Sequence, residues 1–202
     1  MGRHRNLRSA ANIREKVRDA YSGAAESPQG KHAFPVGRVF AESLGYPREL
    51  LAGLPGFVAE AFTGVSNVSV RAAIPEGAAV LDVGCGAGLD ALVAARRAGP
   101  TGRVIGVDFS RSMLSLARRA ANEAGLSRVL FCEAAAENLP LADASIDVAL
   151  VNGIFNLNPA REAIFRELAR VIRSGGALFA AELILSEPLP AEMCPSEDNW
   201  FA

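Results

Sequence analysis

Ahead of Ala72 apolar positions recur at helical spacing, whereas beyond Val80 short apolar runs alternate with longer amphipathic stretches. Ile13, Val17 and Tyr21 mark one face of an amphipathic helix. Residues 22–37, rich in glycine, serine and proline, read as a loop. Breaks at Gly45-Tyr46-Pro47 and Pro55-Gly56 divide the next stretch into three short helices over 39–43, 48–54 and 57–62. Segments in this position either cap the sheet or close over its ligand as a lid.

After them the spacing predicts a strand from Val80, a helix over 89–98 ending at Gly99-Pro100, and a strand over 103–107. Ser110 is a good N-cap for a helix through 124 that Gly125 closes. Strands over 129–132 and 146–152 follow, then a helix over 160–172, the Ser174-Gly175-Gly176 turn and a strand over 177–185. Strands separated by helices predict an α/β fold, a doubly wound parallel sheet covered on both faces with ligand at the carboxyl ends of the strands. The division expected is a helical cap over 1–70 and a ligand-binding core over 71–202. The last strand reads as buried on both faces, yet the chain reaches Trp200-Phe201-Ala202 too soon to cover its edge. A shortened chain, or a homodimer paired through that edge, is the expectation.

Composition narrows the function. With 202 residues, half of them apolar, there is chain enough for a proper core. A net charge of −1 offers no global field for nucleic acid or anionic lipid. The basic start, with Arg3, Arg5, Arg8, Arg14, Lys16 and Arg18, is interrupted by Glu15 and Asp19 and reads as a solvated face. His32 sits alone in the loop. Cys85, Cys132 and Cys194 are scattered without metal-ligand spacing, so no metal or disulfide framework is expected. No apolar run is long enough to span a membrane, and a reducing cytoplasm is the default setting.

The chemistry concentrates at 80–90, Val-Leu-Asp-Val-Gly-Cys-Gly-Ala-Gly-Leu-Asp. A strand runs into three glycines at alternate positions, Gly84, Gly86 and Gly88, and then into a helix, whose free N–H groups favour an anionic group over the loop. The second strand runs straight into Asp108, at the spacing of an acidic residue on a ribose.

Gly-Cys-Gly-Ala-Gly with Asp82 two residues before it resembles the motif of the class I S-adenosylmethionine-dependent methyltransferases. That resemblance implies their Rossmann-like fold, here short of the C-terminal strand hairpin, and S-adenosyl-L-methionine as cofactor. It implies that the loop backbone at Gly84, Cys85, Gly86 and Gly88 lies against the methionine part, that Asp82 serves its amino group, and that Asp108, followed by Phe109, holds the ribose. Ala136-Glu137-Asn138-Leu139-Pro140 resembles the adenine-contacting segment, although Ala135 stands where many relatives carry an acid. Adenine contacts then fall to the Ala136 backbone or to Glu137. Met113 either touches the adenine or fills core. Tyr21 resembles the lid-helix tyrosine that closes over the cofactor.

Tyr46-Pro47, Gly64-Val65-Ser66-Asn67, Gly88-Leu89-Asp90, the run 151–157 and Pro188-Leu189-Pro190 are similar to the arsenite methyltransferases and their cysteine-lacking relatives. Two positions where the arsenite enzymes carry arsenic-binding cysteines are Val65 and Gly153 here, and neither can ligate arsenic. The resemblance thus implies methyl transfer to a small molecule without naming it. It places Asn152, at the end of the fourth strand, nearest the reacting centre, with Asp90 and Tyr21 as second choices; Asp90 could equally cap its helix. In-line positioning carries much of such a reaction, and a base is needed only if the acceptor is protonated. Two other readings stay open: a non-catalytic S-adenosylmethionine-binding protein of the same fold, and an NAD-dependent oxidoreductase, which would want a G-x-G-x-x-G loop.

Overall fold

A computed structural model describes residues 2–184 of the chain, with side chains from residue 12 onward. The elements are α1 (Gly2–Glu26), α2 (Arg38–Ser43), α3 (Arg48–Ala52), α4 (Gly56–Glu60), α5 (Val68–Arg71), β1 (Ala79–Val83), α6 (Leu89–Ala98), β2 (Arg103–Asp108), α7 (Arg111–Glu123), β3 (Val129–Glu133), β4 (Ile146–Asn152), α8 (Arg161–Val171) and β5 (Ile172–Ala181).

All five strands are parallel, in the order β3-β2-β1-β4-β5. The Rossmann-like α/β fold expected from the strand–helix alternation is the one formed. β1 lies centrally because its residues are apolar on both faces: Val80 enters the cluster built with α6 and α7, while Leu81 and Val83 enter the one built with α8. Buried positions on α7, Met113, Leu114, Ala117, Ala120 and Ala121, keep helical spacing, and its Ser110 cap accepts from the Met113 N–H. The cap helices α2 to α5 are packed into the same core as the sheet, through Ala41, Leu51, Val58 and Val68.

The structure corrects three expectations. The N-terminal helix does not end at Tyr21 but continues to Glu26, because Ala24 and Ala25 pack against Ala61, Ala87 and Met113 and that burial outweighs the low helix propensity of Ser22 and Gly23. Asn67 starts a short helix, α5, that apolar spacing did not announce. The last strand begins earlier, at Ile172, and stops at Ala181; it alternates between half-buried and exposed positions rather than being buried on both faces, since among the described residues its one neighbour is β4. Leu185, Pro188-Leu189-Pro190, Cys194 and the terminal Trp200-Phe201-Ala202 lie outside the described residues. Residues 134–145 pass from β3 to β4 without a helix. Among the described residues no helix is long and apolar enough to cross a membrane, and no cluster of His, Cys, Asp or Glu is placed to hold a metal.

Candidate active site

β1 leads into α6 on one face of the sheet and β4 leads toward α8 on the other, so the strand order reverses between them and a crevice opens at their carboxyl ends. The loop after β1 forms its floor. Gly84, Gly86 and Gly88 all take positive φ, at 74°, 51° and 91°. A side chain on Gly84 would collide with Ile154, and one on Gly88 would press on Ala117 and Phe131. Glycine is therefore required twice over, by conformation and by close approach. Gly84 and Cys85 donate their N–H groups to the Val107 carbonyl at 2.7 and 3.0 Å, tying the loop to β2.

Two connected spaces make up the crevice. The inner one, about 70 Å³, lies over the loop and is lined by Tyr21, Phe62, Gly64, Asp82, Asp90 and Asn152 among others. The outer one, about 430 Å³, lies beyond Asp108 and is lined by Phe109, Ala135, Ala136, Glu137 and residues of α1. Gly84, Asp108, Phe109, Ile154 and Leu157 border both. A long ligand can thus lie across the strand ends.

Asp108 is buried at the junction of these spaces, its Oδ2 accepting from the Gly86 N–H at 2.9 Å and its Oδ1 from the Ser110 N–H at 2.8 Å. Burial pushes its pKa up, and the backbone N–H groups pull it back. Each oxygen keeps a lone pair for a hydroxyl in the outer space.

Asp82 is only 2 % exposed, and its Oδ2 meets no hydrogen-bond partner among the described residues. Burial first, then the neighbouring Asp90 and Asp108, hold its pKa well above the usual carboxylate range. A buried carboxylate oxygen without a donor is costly. Asp82 borders the inner space, where its carboxylate suits an ammonium group.

Asn152 and Asp90 are arranged in the opposite way. Asn152 Oδ1 accepts from the Val65 and Ser66 N–H groups at 2.8 and 3.0 Å, and its Nδ2 donates to the Ser66 carbonyl at 2.7 Å and to Asp90 Oδ2 at 2.8 Å. All four hydrogen-bonding positions of the amide are taken. Asp90 Oδ1 accepts from Tyr46 Oη at 2.6 Å and from the Ser69 N–H at 3.1 Å. Asp90 does not cap its helix, whose N-cap is Gly88; with Asn152 it stitches the segment around Val65 and Ser66 to the end of β4. Val65 lies against Gly153, so the two positions that correspond to cysteines in the arsenite enzymes are neighbours in space.

The remaining predicted residues fall around this frame. Tyr21 stacks on Phe34 with ring centroids 4.5 Å apart, and burial with nearby Glu182 and Asp108 raises its pKa. Met113 is buried beneath the loop as core and borders the inner space but not the outer one. Cys85 is buried toward Gly106 and Phe131, and burial pushes its thiol pKa up. Glu137 borders the outer space, but its carboxylate is held by Arg14 of α1 and by Asn158 Nδ2 at 2.9 Å. His32 lies away from the crevice, its Nε2 2.9 Å from the Ser27 carbonyl oxygen. Tyr46, Ser66, Phe34 and Arg14 were given no role from the sequence. For Tyr46 and Ser66 the signal was present in the Tyr46-Pro47 and Gly64-Val65-Ser66-Asn67 motifs, but nothing local showed that the two segments meet.

Comparison with known proteins adds an independent line. Residues 74–201 match a family model described as a methyltransferase domain. The chain is 32 % identical over 206 aligned positions to an arsenite methyltransferase of Halobacterium salinarum, covering 95 % of this chain and 52 % of that protein. It is 34 % identical over 110 positions to a demethylmenaquinone methyltransferase of Bacillus velezensis, covering 54 % and 47 %. Among solved structures it is similar to an arsenic(III) S-adenosylmethionine methyltransferase from Chlamydomonas reinhardtii, at 29 % identity and a TM-score of 0.60 over 78 % of this chain and 52 % of that one. The chain spans about half the length of the curated relatives it matches.

Proposed function

We propose, from the premise that this chain belongs to the methyltransferase-domain family, that it binds S-adenosyl-L-methionine across the carboxyl ends of β1, β2 and β4 and transfers its methyl group to a small-molecule acceptor. The observation that carries this is the buried oxygen without a donor on Asp82, a residue that borders the space above the glycine loop. When bound, the cofactor supplies an electrophilic sulfonium methyl. The chain's own residues do the rest: Asp82 takes an ammonium group, the backbone of Gly84, Cys85, Gly86 and Gly88 leaves room for the methionine part, and Asp108 takes ribose hydroxyls. Phe109, Ala136 and Glu137 border the space for the base, while Tyr21 and Met113 close the crevice from α1 and α7. Asn152, with its amide saturated, acts as a positioning residue that fixes the wall at Val65 and Ser66. Arsenite is disfavoured as acceptor because Val65 and Gly153 offer no sulfur.

Calorimetric titration with S-adenosylmethionine, S-adenosylhomocysteine and NAD tests this. Both sulfur nucleosides bind wild type and fail to bind Asp108→Ala; preferential binding of NAD, or unchanged binding by the variant, sinks the proposal. The saturated Asn152 amide also favours a second reading, a non-catalytic binder of the same cofactor. Turnover against a panel of small acceptors separates the two.

Beside the crevice, β5 is an open sheet edge among the described residues, with Leu178 exposed on it. This supports the homodimer reading, and light scattering that returns a monomer removes it. The near-neutral charge supports a small molecule over nucleic acid, and the scattered cysteines support the cytoplasm.

A further inference from the structure

At the other ends of the strands lies a separate cavity of about 470 Å³, within the size range of small-molecule sites. It exists because the β3-to-β4 connection has no helix, which leaves one face of β2 and β3 only partly covered. Ile105 and Leu130 are register partners on that face, and Leu130 is 63 % exposed. Leu141, Ala142 and Ile146 also line the cavity. No lining residue is shared with the crevice.

Arg103 and Arg128 stand at the rim. Each immediately precedes the first registered pair of β2 and β3, Val104 with Val129, and both line the cavity together with Ile105 and Leu130. Like charges directly opposite one another on adjacent strands repel. The nearby carboxylates make their hydrogen bonds to other groups: Asp147, which also feels the charge of Arg103, accepts from the Ala79 N–H at 2.6 Å and from Arg173, and Asp143 pairs with Arg170 at 2.7 Å. An added strand is disfavoured at this edge, because Arg118 already donates to the Phe131 carbonyl at 3.1 Å. Two arginines beside an apolar lining favour one compact ligand with an anionic head and an aliphatic body.

We propose that this groove is a second ligand site, specific for a small amphiphilic carboxylate whose head bridges Arg103 and Arg128 and whose aliphatic chain lies on Ile105, Leu130 and Leu141. Decanoate, kept below the concentration at which it forms micelles, is titrated calorimetrically into the full chain, with decanol and acetate as controls. Saturable one-to-one binding of decanoate is expected, with each control weaker by about tenfold or more. The double variant Arg103→Gln/Arg128→Gln and, separately, Leu130→Ser each weaken decanoate by about tenfold. These side chains lie at the surface, and an unchanged thermal midpoint of either variant shows that the fold is intact. Saturating S-adenosylhomocysteine leaves decanoate binding unaltered. Equal binding of decanol, indifference to both variants, displacement by the nucleoside, or no saturable binding overturns the site.

Discussion

Asp82 and Asp90 lie eight positions apart, both are buried, and both border the same inner space, yet they are opposites. Asp90 receives donors from Tyr46, Ser69 and Asn152, whereas Asp82 has an oxygen that receives none. A carboxylate whose lone pairs are filled by its own chain is scaffold. One left unfilled in a dry place is waiting for a cation, because such a group is retained against a desolvation cost of several kcal/mol. The wall around Val65 and Ser66 is therefore fixed before any ligand arrives, and the other end of the crevice is completed only by one.

The largest expected effect falls on the open end. Asp108→Ala removes two charge-assisted hydrogen bonds, each worth roughly 1.5–3 kcal/mol, so S-adenosylhomocysteine affinity drops by about a hundredfold or more in calorimetry. Next comes the closed end. Asp90→Ala strands the Ser69 N–H and one Asn152 N–H in the interior and leaves the Tyr46 hydroxyl only the Ser66 carbonyl at 3.3 Å, and urea unfolding should register a loss of about 1–3 kcal/mol for each stranded donor. If Asp90→Ala instead abolished nucleoside binding without touching stability, the distinction between the two carboxylates would fail.

Asp82→Asn sharpens the contrast by acting in opposite senses on fold and function. The folded pKa of Asp82 is raised, so its ionisation costs the free protein stability that is intact below the unfolded pKa and is lost as pH rises toward the folded value. The variant should abolish that decline and raise the thermal midpoint at neutral pH by about 2–4 °C for each kcal/mol relieved. Cofactor affinity of the wild type should climb with pH until Asp82 ionises in the free protein, and the variant should bind weakly with a flat profile. Smallest is Arg14→Ala, which breaks an ion pair with Glu137 that is half exposed on the arginine side. A loss of at most about 1 kcal/mol is expected in urea unfolding.

Elements with a strong local signal were legible in advance. The bounds of α6 and β4 match the spacing to the residue, and the glycine loop, Asp82 and Asp108 come together where a strand-turn-helix beside a second acidic strand end must place them. Glu137 and Asn152 were legible as residents of the crevice but not as groups already engaged, since their partners Arg14, Asn158, Val65 and Ser66 are distant in sequence. The continuation of α1 to Glu26 was hidden for the same reason: its cause is packing against Ala61, Ala87 and Met113, contributed by three other segments.

By itself the sequence determined the strand-helix rhythm, the conformation of the loop and the identity of the groups at the strand ends, because apolar period and glycine geometry act over a few residues. Only the tertiary structure decided which polar groups are satisfied and which are left open, and where a sheet face stays uncovered. Hydrogen-bond partners and packing neighbours are set by the approach of segments far apart along the chain, and no local pattern records that approach.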